Sequence, residues 1–180
     1  VRDKIQMIFQ DAAVALNPRQ TVFAALSEVL TVVRGERREL GVRVAELLEQ
    51  VGLSADLAAR YPRELSGGQC QRVCIARALT VEPAILIADE PVSALDVSVQ
   101  ARILRLLRDL RARRGLSLLL VAHDLAVVGA VCDQAVVLQE GRVVEAGTPA
   151  DLFSRPQHPY TRRLLDAVPD LDRLEPVRRN

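Results

Sequence analysis

The sequence predicts an α/β fold in which helices cover a mostly parallel β-sheet, joined to a helical first half. After residue 80, short apolar runs alternate with amphipathic helical patterns, as expected for parallel strands with helical crossovers. The first 80 residues show mostly helical periodicity. With 180 residues, 49% of them hydrophobic and 26% charged, the chain is long enough for a substantial core.

The first half begins with a predicted strand and continues as helices. Residues 4–10 alternate apolar and polar side chains, which indicates a strand that ends at Gln10. Thr21 is a suitable N-cap for a helix to about residue 33. Residues 42–51 predict a second helix, which Gly52 would end. A third helix is expected to start after Ser66 and to run to about residue 79.

The second half returns to strands. Continuous apolar runs at residues 84–88 and 116–122 predict strands that are buried on both faces. A helix with an apolar stripe over residues 97–113 separates them, so the connection favours parallel pairing. Farther along, the pattern predicts a short helix, a hairpin and two tail helices, at residues 125–131, 135–145, 150–154 and 160–167.

Charge, hydropathy and cysteine count exclude several classes of protein. A net charge of +1 gives no electrostatic reason to expect a nucleic-acid partner. No apolar segment approaches the roughly 18 residues that span a bilayer, so we expect a cytoplasmic protein that reaches a membrane only through a partner. Three cysteines do not indicate a disulfide framework. Cys70 and Cys74 share a helix face and are expected to be buried thiols rather than metal ligands.

A predicted strand end carries two adjacent carboxylates, Asp89 and Glu90. Ligands of open α/β sheets bind at the carboxyl ends of strands. A carboxylate there suits Mg²⁺ held against nucleotide phosphates, and a second one beside it could polarise a water molecule. The alternative is a strand that simply meets a polar loop.

The start of the third helix is suited to binding an anion. Free N–H groups and the helix dipole give such a start a partial positive charge. Gly67 and Gly68 would let a large anion approach the backbone, while Ser66 could cap the helix and donate to a phosphate oxygen. A glycine loop before a capped helix would explain the same residues without a ligand.

Two further strand ends carry weaker signals. His123 follows the strand at residues 116–122, where an imidazole could hydrogen-bond a γ-phosphate. Gln10 could ligate Mg²⁺ or orient water. Each residue taken alone is more often structural.

In their order along the chain, these sites resemble the motifs of the ABC (ATP-binding cassette) ATPase family. The matching segments are Gln10 as the Q-loop, residues 65–69 as the signature motif, residues 84–90 as Walker B with its adjacent glutamate, residues 93–96 as the D-loop and residues 121–124 as the H-loop. Residues 9–19, 146–149 and 158–161 resemble the oligopeptide/dipeptide importer branch of that family.

The resemblance implies a partial RecA-like P-loop NTPase core with a mostly parallel sheet, plus an α-helical signature subdomain. Residues 1–10 would end a core strand and form the Q-loop, and residues 11–80 would form the signature subdomain. Residues 81–148 would hold Walker B, the D-loop and the H-loop, and residues 149–180 a tail of the peptide-importer type.

The resemblance also implies ATP and Mg²⁺ as cofactors, in a dimer that sandwiches the nucleotides between two subunits. Within one subunit, Asp89 and Gln10 would serve Mg²⁺. Glu90 would be the general base, with His123 and Gln10 at the γ-phosphate. Contacts to the partner subunit's ATP would come from Ser66, Gly67, Gly68 and Gln69, and Asp96 would lie at the dimer seam.

The implied function is ATP hydrolysis that drives an importer of oligopeptides or dipeptides at the cytoplasmic face of the cell membrane. Expected partners are a second ABC ATPase subunit, transmembrane permease subunits and, indirectly, a solute-binding protein. The 180 residues do not contain the P-loop pattern Gly-x-x-x-x-Gly-Lys-Ser/Thr, so we expect an N-terminally truncated chain that is inactive alone. The alternatives are a soluble ABC ATPase of translation or DNA repair, and a catalytically silent fragment.

Overall fold

A computed structural model of the chain describes residues 4–168 and shows an α/β fold. Its helices and strands, in chain order, are β1 (Ile5–Ile8), α1 (Ala12–Ala15), α2 (Val22–Val32), α3 (Leu40–Gln50), two short 3-10 helices (Ala55–Ala59 and Pro62–Glu64), α4 (Gly67–Leu79), β2 (Ile85–Asp89), α5 (Val97–Arg114), β3 (Ser117–Val121), α6 (Leu125–Val131), β4 (Ala135–Gln139), β5 (Arg142–Gly147), α7 (Pro149–Ser154) and α8 (Pro159–Asp166). Sequence patterning missed α1 and both 3-10 helices, because segments of three to five residues are too short to show a helical period.

The first three strands form a parallel sheet in the order β1-β2-β3. Ile8 lies opposite Ala88 in the register of β1 with β2, and Asp89 lies opposite Val121 in that of β2 with β3. The mostly parallel sheet predicted from the sequence is therefore confirmed.

The prediction that these strands are buried on both faces is wrong. Leu86 and Ala88 are buried, but Ile85, which points to the opposite face of the strand, is 37% exposed. In β3, Leu119 and Val121 are 54% and 48% exposed. Alternate side chains of a strand point to opposite faces, so within residues 4–121 helices cover one face of the sheet and leave the side chains of the other face more exposed.

The helical half follows its sequence signals closely. Thr21 accepts a hydrogen bond from the backbone N–H of Ala24 at 3.2 Å and caps α2 as predicted. The apolar residues predicted for one side of α3 are buried, namely Val44, Leu47, Leu48 and Val51. Gly52 takes a left-handed φ of 69° just past α3, the conformation in which glycine ends helices.

Three arginines tie the helix C-terminal ends together. Arg72 and Arg77, both on α4, donate to Val51 O at 2.8 Å and to Ala15 O at 2.9 Å. Arg34 donates to Thr80 O at 3.2 Å, at the end of α4 itself. The last carbonyls of a helix lack partners within the helix and carry partial negative charge, so Arg72 and Arg77 fix α3 and α1 to α4, and Arg34 fixes the end of α4 to the segment after α2.

The two cysteines of α4 are buried and form no disulfide, which confirms the expectation of buried thiols. Burial raises the pKa of the Cys74 thiol to about 11 and also raises the pKa of Cys70. A thiol with a raised pKa forms little thiolate at neutral pH, and thiolate is the form that reacts and binds metals.

The chain divides into two compact units, one up to Val121 and one from Ala122 onward. In the second unit β4 and β5 pair antiparallel, and the turn between them has positive φ at Glu140 (50°) and Gly141 (76°). Two successive positive φ values define a type I′ hairpin turn, so the predicted hairpin is confirmed. No helix among residues 4–168 is both long and apolar enough to cross a membrane.

Candidate functional site

The side chains of Gln10 and Glu90 meet where β1 and β2 end. Gln10 comes two residues after β1, and Glu90 comes directly after β2. Because these strands are parallel neighbours, their carboxyl ends lie at the same edge of the sheet. Gln10 Nε2 donates to Glu90 Oε2 at 2.9 Å. The structure thus brings together two residues that the sequence singled out separately.

A third side chain, Ser93, joins this contact. Gln10 Nε2 also donates to Ser93 Oγ at 3.2 Å, and Ser93 Oγ donates to the backbone carbonyl of Glu90 at 3.1 Å. Sequence reasoning noted Ser93 within a four-residue match but gave its hydroxyl no role. The available signal was the spacing, because a serine hydroxyl readily bonds the carbonyl three residues before it.

The backbone of Glu90 is strained. Its φ is 43°, in the left-handed region that costs a non-glycine residue about 1–2 kcal/mol. Its N–H donates to Val121 O at 2.9 Å, and its carbonyl accepts from both the N–H and the hydroxyl of Ser93. Strain of this kind persists only where surrounding contacts fix it and is frequent in functional sites.

Asp89 is the last residue of β2 and is half-buried. Mg²⁺ prefers oxygen ligands and commonly uses one or two carboxylates together with substrate phosphates. Since the nitrogen of the Gln10 amide is engaged with Glu90, its oxygen is the atom available to a cation. The donors at this edge therefore fit Mg²⁺. Among the described residues, no group of three or more His, Cys, Asp or Glu is placed to hold a metal.

The start of α4 is a complete capping box. Ser66 Oγ accepts from the N–H of Gln69 at 3.3 Å, and Gln69 Oε1 accepts from the N–H of Ser66 at 2.9 Å. Ser66 and Gly67 are exposed. The Ser66 hydroxyl accepts in this arrangement, so its hydrogen can still be donated to an anion. Gln69, by contrast, uses its side-chain oxygen within the cap.

The two glycines of α4 also serve packing within the chain. A Cβ on Gly68 would lie 2.5 Å from Val99 Cγ1, and one on Gly67 would lie 3.2 Å from Leu95 Cδ2. The sequence suggested that these glycines admit an anion, and it contained no local signal of this second constraint because their neighbours lie about 30 residues away. The helix start and the segment around Asp96 are therefore in contact within one chain.

Asp96 caps α5 in the structure. Its carboxylate accepts from the Ser98 hydroxyl at 2.8 Å and from the N–H of Val99 at 3.0 Å. The Ser98 bond is the main reason that the pKa of Asp96 lies below its usual value, and the Val99 bond adds to it. This exposed carboxylate is therefore held in one orientation at the surface.

His123 lies in the second unit, two residues beyond the end of β3, and is exposed. The next residue, Asp124, caps α6 by accepting from the N–H of Ala126 at 2.8 Å. The cap fixes where α6 begins and so where the short segment containing His123 ends.

Comparison with known proteins identifies the family of the chain. Residues 1–93 match the family model described as ABC transporter, and residues 144–179 match the C-terminal region of oligopeptide/dipeptide transporters. The first match covers half of the chain and contains Gln10, the capped start of α4 and the Asp89-Glu90 pair.

Individual relatives support the same family. A Brucella ovis protein whose name describes ATP binding in peptide import is 52% identical over 172 residues, covering 95% of this chain and 54% of the relative. The oligopeptide transport ATP-binding protein OppF of Escherichia coli is 50% identical over 171 residues, covering 94% of this chain and 51% of OppF. The chain thus spans about half the length of the curated relatives it matches, and it belongs to the ABC transporter family.

Proposed function

We propose that the chain is part of an ATP-binding subunit that hydrolyses ATP to drive import of oligopeptides or dipeptides. The observation that carries the proposal is the contact of Gln10 with Glu90 beside Asp89, at the carboxyl edge of a parallel sheet. That edge is where α/β folds bind ligands, and its carboxylate and amide oxygens fit Mg²⁺ and a water nucleophile.

Each of the predicted site residues has a distinct proposed part. Asp89, with the Gln10 oxygen, holds Mg²⁺, which neutralises charge on the nucleotide phosphates when it is bound. Glu90 accepts the proton of the attacking water. His123 contacts the γ-phosphate as a hydrogen-bond donor.

The start of α4 has its proposed ligand on a second subunit. Ser66, Gly67, Gly68 and Gln69 would contact ATP held by the partner, and Asp96 would lie at the seam between the subunits. The exposure of Ser66 and Gly67 supports this assignment, because it leaves the positive end of the helix open to an anion.

The importer assignment follows from the relatives. Their names describe peptide import, and the match at residues 144–179 is to peptide transporters. We therefore propose transmembrane permease subunits and a second ATPase subunit as partners, a solute-binding protein as an indirect one, and the cytoplasmic face of the membrane as the location. The same matches disfavour a soluble ATPase of translation or DNA repair.

The missing P-loop pattern leads to a specific expectation for the chain itself. Its 180 residues contain one lysine, Lys4, and no Gly-x-x-x-x-Gly-Lys-Ser/Thr segment. Without the loop that cradles the phosphates, Asp89 and Glu90 have no fixed nucleotide to act on. The purified chain should bind ATP weakly and hydrolyse it negligibly in a phosphate-release assay. Stoichiometric ATP hydrolysis by the purified chain that is abolished in the Glu90→Gln variant would contradict this expectation.

The genomic sequence around the gene tests the transport assignment. In-frame codons for a P-loop upstream of Val1, together with neighbouring genes for membrane permeases, would support the transport assignment. Neighbouring genes of translation or DNA repair, without permeases, would count against it.

A further inference from the structure

The contacts among Gln10, Ser93 and Glu90 form a closed ring. The Gln10 amide donates to the Glu90 carboxylate at 2.9 Å and to the Ser93 hydroxyl at 3.2 Å. The Ser93 hydroxyl in turn donates to the carbonyl of Glu90 at 3.1 Å. Both ends of Glu90, its backbone and its carboxylate, are thereby attached to the same pair of side chains.

We propose that Ser93 is a positioning residue, whose hydroxyl holds the Gln10 amide against Glu90 and so keeps the carboxylate in a fixed resting orientation. The importance of that orientation rests on the proposed role of Glu90 as general base. The ring itself depends only on the contacts of this chain.

Hydrogen-bond accounting explains why a hydroxyl is needed at this position. Ser93 Oγ acts at once as acceptor from Gln10 and donor to Glu90 O. A hydroxyl has one donor hydrogen and two acceptor lone pairs, so threonine can make the same two bonds and alanine can make neither. The left-handed φ of Glu90 makes these bonds more important, since this backbone conformation is higher in energy for a non-glycine residue.

The ring also connects Glu90 to the helix that carries the glycines. Gln10 precedes α1, and the last carbonyl of α1, Ala15 O, accepts from Arg77 of α4 at 2.9 Å. Gln10 is thus linked to α4 through α1 and this hydrogen bond. If Gln10 leaves, Glu90 Oε2 loses the hydrogen bond from the Gln10 amide. The ring thus joins the state of the carboxylate to the position of α4.

Solution NMR of the ¹⁵N-labelled 180-residue chain, without nucleotide, tests the ring directly. The readout is the side-chain amide of Gln10, namely its proton shifts and its exchange rate with water. In Ser93→Ala we expect the shifts to move towards those of a solvated glutamine and the exchange rate to rise about fivefold, the factor for loss of one net hydrogen bond. Ser93→Thr should keep both values close to those of the parent chain.

Ser27→Ala is the matched control. Ser27 also donates its hydroxyl to a carbonyl three residues earlier, Ala24 O at 3.3 Å, but it lies on α2 and is not part of the ring. This variant should leave the Gln10 signals unchanged. It separates loss of a local serine bond from loss of the ring.

A second variant covers the case in which Ser93→Ala does not fold. Gln10 is exposed, so Gln10→Leu should keep the fold while shifting the carboxyl ¹³C signal of Glu90. The proposal is overturned if Ser93→Ala leaves the Gln10 amide as it was, if Ser93→Thr disrupts it as much as alanine does, or if Gln10→Leu leaves the Glu90 carboxyl signal in place. Because no nucleotide is present, failure of this test is distinguishable from failure of the ATPase assignment.

Discussion

Replacing Gly68 by alanine tests how tightly the start of α4 packs on α5. The added methyl group would lie 2.5 Å from Val99 Cγ1, whereas two carbon atoms prefer about 3.5–4.0 Å. The neighbour must move by roughly 1 Å, and a β-branched valine on a helix has little rotamer freedom with which to do so. Overpacking of this kind costs about 1–3 kcal/mol.

Gly41→Ala is the matched control for the helix-propensity effect. Gly41 is the second residue of α3, as Gly68 is of α4, and a Cβ there meets nothing within 4 Å. Alanine should stabilise that site by up to about 1 kcal/mol. In urea unfolding, Gly68→Ala should therefore be less stable than Gly41→Ala by about 1–3 kcal/mol.

The double variant Gly68→Ala/Val99→Ala completes the test. Val99→Ala removes the clashing Cγ1 and leaves the valine Cβ position, 3.8 Å from the new methyl group, in ordinary contact. The two substitutions should couple favourably by about 1–3 kcal/mol in a double-mutant cycle. If the free energies of unfolding add within about 0.5 kcal/mol, or if both glycine variants behave alike, the packing interpretation is refuted.

Three further predictions concern charges and thiols. Because the pKa of Cys74 is raised from 9.0 to about 11, the contribution of this thiol to the free energy of unfolding is constant below pH 9 and is lost as the pH rises from 9 to 11. In Cys74→Ala this pH-dependent loss, about 2–3 kcal/mol in unfolding measurements, should disappear. Alkylation of the native chain should modify half-buried Cys132 before Cys74. Asp96→Ala should lower the melting temperature at neutral pH. Because the pKa of Asp96 in the folded chain lies below 3.8, the difference in melting temperature between parent and variant should persist above pH 3.8 and vanish as the pH falls through the folded-state pKa. Arg77→Met should cost about 1–2 kcal/mol in urea unfolding, because Ala15 O loses its donor, and an unchanged midpoint would refute that bond.

The parts of the fold that were predictable from the sequence are those that depend on neighbouring residues. Thr21 and Ser66 cap helices through bonds to residues three positions away, and Glu140-Gly141 sets a turn by its own backbone angles. In each case the sequence window contains the whole physical cause.

Features that depend on distant residues were not predictable. The apolar run at residues 84–88 looks the same whether helices cover one face of the strand or both, and Ile85 is exposed because coverage is a tertiary property. The packing reason for Gly68 lies in Val99. Gln10 and Glu90 were each predicted as site residues, but only the register of β1 with β2 shows that their side chains touch.

ATP turnover by the full-length gene product, with Glu90→Gln and a control glutamate variant, tests the proposed site most directly. Glu82→Gln is the control, because Glu82 is another glutamate with left-handed φ (53°) but lies away from the ring, in an ion pair with Arg34. Loss of a general base costs about 10²–10⁴-fold, so Glu90→Gln should lower turnover by at least about 100-fold while Glu82→Gln stays near the parent rate. Turnover by Glu90→Gln at the rate of the parent protein would contradict the assignment of this sheet edge to ATP hydrolysis.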